Sequence, residues 1–262
     1  MIIRKSAQEI EQMERAGRVV VETLDLLGQH IRPGVTTEEL DELAEEFIRS
    51  QGGEPTFKGY RGYPASICTS PNAMVVHGIP GQYHLAEGDL LSVDVGVTLG
   101  GFVGDSAYTF PVGDVSDEAQ RLLDAGQAAL AAGIEQARPG NHLSDIGHAV
   151  QKATEEAGFS VVRSLVGHGV GRKMHEDPQI PNFGEPGRGP ILKPGMTLAI
   201  EPMINAGDPD VYLHDDEWSI STADGSLSSH FEHTVAVTES GPKILTRRLQ
   251  ASGLTGNVRQ AS

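Results

Sequence analysis

The chain has 262 residues and carries 36 acidic against 20 basic side chains, so its formal charge is −16. This charge argues against general nucleic-acid binding, because a phosphate backbone would repel the surface. A single cysteine, Cys68, excludes an internal disulfide and is typical of a reducing compartment. The N-terminus is polar from its start and no apolar run reaches about 18 residues, so we expect neither a secretory signal nor a membrane span.

Two helices are predicted first. Apolar residues recur at helical spacing over residues 10–27, and Pro33 stops this pattern. Thr36 or Thr37 then caps a second helix over residues 38–53, which ends at a glycine pair. Both helices precede any strand pattern.

An irregular stretch, residues 57–81, is rich in glycine, proline and tyrosine. In chain order, the later predicted elements are strands at 90–97 and 101–113, helices at 118–137 and 143–158, and strands at 161–165, 196–204 and 230–239. Each half of the chain therefore contains two helices followed by strands.

This order is an internal repeat. The tripeptide Arg-Pro-Gly at 32–34 recurs 106 residues later at 138–140, and the pattern Leu-x-x-Gly at 85–88 recurs 107 residues later at 192–195. Both fragments are common, so coincidence is the alternative. Two landmarks with nearly the same offset favour a structural duplication. Two related halves that face each other would form one domain with a site between them.

Four acids are predicted on strand faces whose other members are mostly small, while bulky apolar residues occupy the opposite faces. These acids are Asp94, Asp105, Glu201 and Glu232. Asp94 and Glu201 each stand six residues after the glycine of the second landmark. A lone acid on an exposed strand face is unremarkable, but a buried carboxylate is costly unless a cation or partner compensates it. The shared pattern therefore predicts a metal site.

Two histidines, His168 and His175, lie in residues 167–178, GHGVGRKMHEDP. This is not the helical HExxH zinc motif, because Pro178 would break the helix and no second histidine follows. Carboxylates with imidazole suit Mn²⁺, Fe²⁺, Co²⁺ or Zn²⁺, and histidine argues against Mg²⁺ or Ca²⁺ alone. Four negative charges balance two divalent ions, which can share a water and lower its pKa. The predicted chemistry is therefore hydrolysis.

Seven motifs contain or adjoin these residues: YRGYPASICTSPN, VVHGIP, GDLLSVDVGV, GFVGDSAYTF, GHGVGRKMHEDP, LKPGMTLAIEPM and EHTVAVT. Together, over residues 3–247, they resemble type I methionine aminopeptidases of the pita-bread metallopeptidase family. The resemblance implies an α+β fold, with pseudo-twofold duplicated helix–strand halves around an antiparallel sheet. It also implies a single catalytic domain over residues 1–247 and a C-terminal tail over residues 248–262.

The resemblance implies a five-residue ligand set for two divalent ions. Asp94 would bind one ion through both oxygens, and Asp105 and Glu232 would bridge the two ions. His168 and Glu201 would complete the second ion's ligands. Glu201 would also accept a proton from the nucleophilic water.

The family's substrate contacts map onto further residues. His175 would hydrogen-bond near the scissile amide and His77 would orient the peptide, although from its residues alone His77 is more simply a loop histidine. The methionine pocket would be lined by Tyr60, Tyr63, Cys68, Met174 and Trp218, whose simpler reading is an apolar core. Relatives often carry phenylalanine at the position of Met174; methionine is flexible and polarisable and can line such a pocket.

Two other functions share this fold. An Xaa-Pro aminopeptidase or prolidase would usually carry an additional N-terminal domain, for which the first helix leaves no room. A binding module that had lost catalysis would have lost ligands, and all five are present. Glu201 and Glu232 are only 31 residues apart, without the long insertion of type II enzymes. We therefore expect a cytoplasmic monomer that acts on nascent polypeptides and contacts no membrane or specific nucleic acid; ribosome contact is left open.

Overall fold

A computed structural model describes residues 1–248. Within them lie four helices: α1 Ala7–His30, α2 Thr37–Ser50, α3 Asp117–Glu135 and α4 Leu143–Glu156. The strands are β1 Glu54–Pro55, β2 Cys68–Pro71, β3 Met74–Val76, β4 Leu90–Leu99, β5 Phe102–Pro111, β6 Ser160–Val161, β7 Val166–Gly169, β8 Glu176–Pro181, β9 Thr197–Ile200, β10 Met203–Asn205, β11 Val211–Leu213, β12 Ile220–Thr222, β13 Ser228–His230, β14 His233–Thr238 and β15 Gly241–Ile244. None of the described helices is long and apolar enough to span a membrane.

The first two helices begin at capping boxes. The backbone N–H of Glu9 donates to the Ser6 hydroxyl, and that of Glu39 donates to the Thr36 hydroxyl, while each glutamate accepts the N–H of its cap. The predicted second helix is therefore confirmed, and Thr36 is its cap. Of the predicted tail, only Arg248 lies within the described residues; the single domain over residues 1–247 stays a prediction.

Two antiparallel sheets form the centre of the molecule. In the first, β4 pairs with β5 along its length and with β1 and β2 on its other edge. In the second, the strand order is β15-β14-β9-β7-β8. Helices α1 and α2 share one apolar core with β4, and α3 and α4 share another with β9 and β14. Each sheet thus has its own pair of helices.

The predicted duplication is visible in the backbone. Gly34 N–H donates to the Leu85 carbonyl at 2.7 Å, and Gly140 N–H donates to the Leu192 carbonyl at 3.0 Å. Both glycines have left-handed φ, +90° and +92°, a conformation that glycine adopts without a Cβ penalty. The helices that follow, α2 and α4, both have 14 residues. The two landmarks of the sequence repeat therefore make the same turn in both halves.

The halves meet where β5 approaches β14. The Thr234 hydroxyl donates to the Asp105 carbonyl at 2.8 Å and accepts the Asp105 N–H at 3.2 Å. The Glu232 N–H donates to the Ala107 carbonyl at 2.9 Å. These bonds fix the backbone of two of the predicted ligands, one from each half.

Four sequence predictions differ from the structure. The strand predicted over 196–204 is divided into β9 and β10, which belong to different sheets. The irregular stretch 57–81 contains β2 and β3, which pair with β4 and β12, partners that a local pattern does not reveal. The predicted strand 161–165 is replaced by β6 and β7. The single strand predicted over 230–239 is wrong, because the chain leaves β13, turns at Phe231 and Glu232, and enters β14 in another sheet.

Helix α1 crosses β5 at a contact between backbones. A Cβ added to Gly104 would lie 2.5 Å from the Gly17 nitrogen, and one added to Gly17 would lie 2.5 Å from the Leu245 carbonyl oxygen. Both distances are shorter than real Cβ contacts allow, so Gly104 permits the helix to sit directly on β5, and Gly17 permits it to sit against the turn after β15.

We expect Gly104→Ala to lower the free energy of unfolding by about 1–3 kcal/mol, because it forces α1 away from β5. Urea denaturation measures the change. Gly81→Ala is the matched control, since no atom lies within 4 Å of its added Cβ, and it should shift stability by less than about 0.5 kcal/mol. Equal effects of the two substitutions would contradict the close contact.

Candidate metal centre and substrate pocket

The four predicted acids converge at the junction of the two sheets. Asp94 lies on β4 and Asp105 on β5. Glu201 follows β9 directly and Glu232 precedes β14 directly, so these two stand at strand ends and not inside strands as predicted. Gly96 is the register partner of Asp105 across the sheet, and the Phe57 ring fills the space of its missing side chain, since an added Cβ would lie 2.6 Å from Phe57 Cε1.

His168 faces these acids from β7. Its Nε2 lies 3.6 Å from Asp105 Oδ2 and 3.4 Å from Glu201 Oε1. Asp105, His168 and Glu232 are all buried. Each offers one atom that could bind a metal, and these three atoms lie within 4.8 Å of one another. One imidazole and two carboxylates at this separation can hold a transition-metal ion.

Buried oxygens without partners support this fit. Among residues 1–248, Asp94 Oδ1, Asp105 Oδ1 and Glu232 Oε1 are buried and make no hydrogen bond. A buried polar group without a partner is costly, and a buried charge more so. Cation binding would give each of these oxygens a partner, so the residues present fit a divalent metal.

The same burial shifts the acids' pKa values. Burial, and next the neighbouring Asp105, raises the pKa of Asp94 and of Glu232 well above the usual range. Burial, then the Glu201 carboxylate, raises that of Asp105, and burial raises the pKa of Glu201 to about 8. In the metal-free protein these groups therefore hold protons that a cation would displace.

The His168 ring is neutral and can bind a cation through one nitrogen. Burial, and then the adjacent His175, lowers the pKa of His168 to about 4. Its Nδ1 lies 2.9 Å from the Gly169 carbonyl oxygen, which can only accept, so Nδ1 carries the proton. Nε2 therefore presents its lone pair to the acids.

Two further histidines line the cavity. The His175 ring stacks on Tyr60, whose hydroxyl lies 2.8 Å from His175 Nδ1, and its centroid is 4.2 Å from that of His168. His77 adopts a left-handed φ of +59°, uncommon for a residue with a side chain. Burial, and then His230 and His175, lowers the pKa of His77 to about 4, so its ring is neutral at neutral pH.

An apolar pocket adjoins the acids. Tyr63 and Trp218 pack edge to face with centroids 5.0 Å apart, and the Tyr63 hydroxyl lies 2.9 Å from the Gly78 carbonyl oxygen. Cys68 is the register partner of Asp94 on the neighbouring strand, which joins the pocket to the metal centre. Met174 is 6% exposed and packs in the same cluster.

One cavity of about 180 Å³ brings all the sequence-predicted residues together. They are Tyr60, Tyr63, Cys68, His77, Asp94, Asp105, His168, Met174, His175, Glu201, Trp218 and Glu232. Several apolar residues that line the cavity were not predicted from the sequence, among them Val76, Leu165 and Met203. These carry no signal that separates them from ordinary core residues.

His230 stands two residues before Glu232 in the sequence. Strand alternation places it beside Glu232 on one continuous strand. In the structure, β13 ends at His230, its ring is buried, and Nε2 lies 3.7 Å from Glu201 Oε2. The broken strand explains the difference, because Glu232 has already crossed to the other sheet.

Comparisons with known proteins agree with this geometry. The sequence profile of metallopeptidase family M24 matches residues 11–239. A methionine aminopeptidase from Clostridium perfringens is 54% identical over 246 residues, which cover 94% of this chain and 99% of the relative. Methionine aminopeptidase 1 from Bacillus subtilis is 53% identical, with 94% of this chain and 100% of the relative covered.

Solved structures confirm the predicted pita-bread fold. The methionine aminopeptidase from Rickettsia prowazekii superposes with a TM-score of 0.93 at 44% identity, covering 94% of this chain and 100% of that one. A prolidase from Pyrococcus horikoshii OT3 shares the fold alone, with a TM-score of 0.77 at 21% identity, covering 96% of this chain and 65% of that one. This chain belongs to metallopeptidase family M24, and within it to the methionine aminopeptidases.

Proposed function

We propose that the chain removes the N-terminal methionine from nascent polypeptides whose second residue is small. The proposal depends on one observation, a cavity in which a cluster of carboxylates adjoins an apolar pocket. The proposal includes a monomer that acts in the cytoplasm on chains leaving the ribosome, without a membrane or nucleic-acid partner.

The proposed cofactor is a pair of divalent cations, chosen from cobalt, manganese, iron and zinc. They would be held by Asp94, Asp105, His168, Glu201 and Glu232. When bound, such ions supply a water of lowered pKa and a Lewis acid for the peptide carbonyl. Four carboxylates compensate the charge of two divalent ions, which is the argument for a pair.

The pocket supports a preference for methionine. Tyr63, Trp218 and Met174 surround a space that a flexible, unbranched side chain can fill, and thioether sulfur interacts favourably with aromatic rings. Four of the five charged side chains that line the cavity are carboxylates, and only Arg61 could pair with a peptide carboxylate. A free amino terminus is therefore the end of the substrate that this cavity admits.

Side chains of the cavity can accept the proton that the reaction releases and can hydrogen-bond to the peptide. Because burial raises the pKa of Glu201 to about 8, its carboxylate can accept a proton from the attacking water and hold it near neutral pH. His175 and His77 are neutral there, because burial lowers both of their pKa values. Each can therefore hydrogen-bond to the peptide without adding charge to the cavity.

The decisive measurement is a mass-spectrometric competition, repeated with Co²⁺, Mn²⁺, Fe²⁺ and Zn²⁺ in turn. We expect Met-Gly-Ser to lose its methionine, while Leu-Gly-Ser, Met-Leu-Ser and an Xaa-Pro peptide stay intact, and EDTA to abolish the cleavage. Cleavage of the Xaa-Pro peptide instead would move the assignment to the prolidase-type activity that shares this fold. No cleavage with any of the four metals would contradict an enzymatic role.

Removal of the His175 ring should slow the reaction without unfolding the protein. We expect His175→Ala to lower kcat/KM by about 100-fold, since a positioned acid–base group commonly contributes that much. Tyr60→Phe removes only the hydroxyl that orients the ring, so its loss should be smaller. His148→Ala, which alters a histidine outside the cavity, is the control. Equal rates for His175→Ala and this control would refute the assigned role.

Metal affinity should increase with pH. Below about pH 8 a cation must displace the proton that Glu201 holds, and its buried acidic neighbours add further protons. We expect Mn²⁺ to bind more tightly at pH 8 than at pH 6, with proton release at pH 7. Calorimetric titration in two buffers of different ionisation enthalpy counts those protons. A pH-independent affinity without proton release would contradict the raised pKa values.

A further inference from the structure

One ion pair lies buried outside the catalytic cavity. Lys5 Nζ is 2.6 Å from Glu176 Oε2, and the two side chains are only 3% and 6% exposed. Every other lysine or arginine that forms an ion pair within residues 1–248 is at least 31% exposed. Burying two charges carries a large desolvation cost, so this pair has a structural purpose beyond surface solubility.

Glu176 closes the loop that carries His175. Its second oxygen, Oε1, accepts the backbone N–H of Arg172 at 3.0 Å and that of Lys173 at 3.2 Å. The carboxylate therefore ties the middle of the short connection between β7 and β8 to the start of β8. The residue directly before it is His175, whose ring faces the cavity.

Lys5 is itself fixed from the opposite direction. Its backbone N–H donates to the Gly195 carbonyl at 2.7 Å, and the next residue, Ser6, caps α1. Gly171 leaves no free space around the pair, because an added Cβ would lie 2.5 Å from Lys5 Cε and 2.7 Å from Glu176 Oε1. The lysine thus connects the start of the chain to the loop through a packed contact.

Among residues 1–248, the His175 ring makes one hydrogen bond, between its Nδ1 and the Tyr60 hydroxyl, and it stacks on the Tyr60 ring. Tyr60 contacts the ring from one side, so the position of the ring also depends on its backbone, which Glu176 holds. We propose that Lys5 and Glu176 are positioning residues, which hold the 171–175 loop so that His175 meets the substrate. This inference rests on the proposed function, because it concerns the same reaction.

The test compares Lys5→Met with Lys243→Met. Lys243 forms a solvent-exposed ion pair with Glu14, so its substitution is a matched control remote from the loop. We expect Lys5→Met to lower kcat by about tenfold or more, the scale seen when a supporting contact is lost, and Lys243→Met to leave kcat unchanged. An unchanged kcat in a folded Lys5→Met protein would overturn the proposal.

A double-mutant cycle separates positioning from general destabilisation. If Lys5 acts through His175, Lys5→Met should cost about tenfold in the wild-type background and less than about twofold in His175→Ala. A loss of the same factor in both backgrounds would show that Lys5 acts on the fold alone. Gly171→Ala provides a second variant, since it displaces the pair while keeping both charges, and it should reproduce the kcat loss.

A spectroscopic measurement of the His175 ring tests the positioning contact without relying on the proposed cleavage reaction. In the metal-free protein, the His175 ring signal can be identified by its loss in His175→Ala. We expect this signal to shift in Lys5→Met and Gly171→Ala but not in Lys243→Met. If wild type fails to cleave Met-Gly-Ser and the signal still shifts, the proposed function has failed while the positioning contact stands. An unmoved signal would refute the positioning contact itself.

Discussion

The need to compensate four clustered carboxylates, of which Asp105 and Glu232 are buried, governs this structure. Three of the acids have buried oxygens without hydrogen-bond partners, and their pKa values are raised because burial disfavours their charged forms. A fold that only needed to be stable would not gather such groups in its interior. The cluster is tolerated because a cation site needs it, and the surrounding sheets are arranged to hold it.

The two sheets supply the rigidity that this cluster requires. Long antiparallel pairing of β4 with β5 fixes Asp94 and Asp105, while β14 pairs with β9 and so places Glu232 beside Glu201. Ligands at strand positions or directly beside strand ends have little backbone freedom. Catalytic geometry depends on such support, since small displacements of reacting groups cost large factors in rate.

Much of this site could be predicted from sequence because strand periodicity and the repeat are local or regular signals. Alternation placed Asp94 and Asp105 on the side with small neighbours, and the repeat identified Glu201 as the counterpart of Asp94. Long-range pairing carries no such signal. The break at Phe231 was therefore missed, and the apolar residues that line the pocket look like any other core residue.

The proposed ligand set is divided between the duplicated halves: Asp94 and Asp105 come from the first, and His168, Glu201 and Glu232 from the second. Neither half offers a complete site alone. A cation bound there would act as a cross-link, because separation of the halves would release it. Its binding free energy would then add to the cohesion between them. The cofactor would thus make two similar, separately packed cores unfold as one cooperative unit.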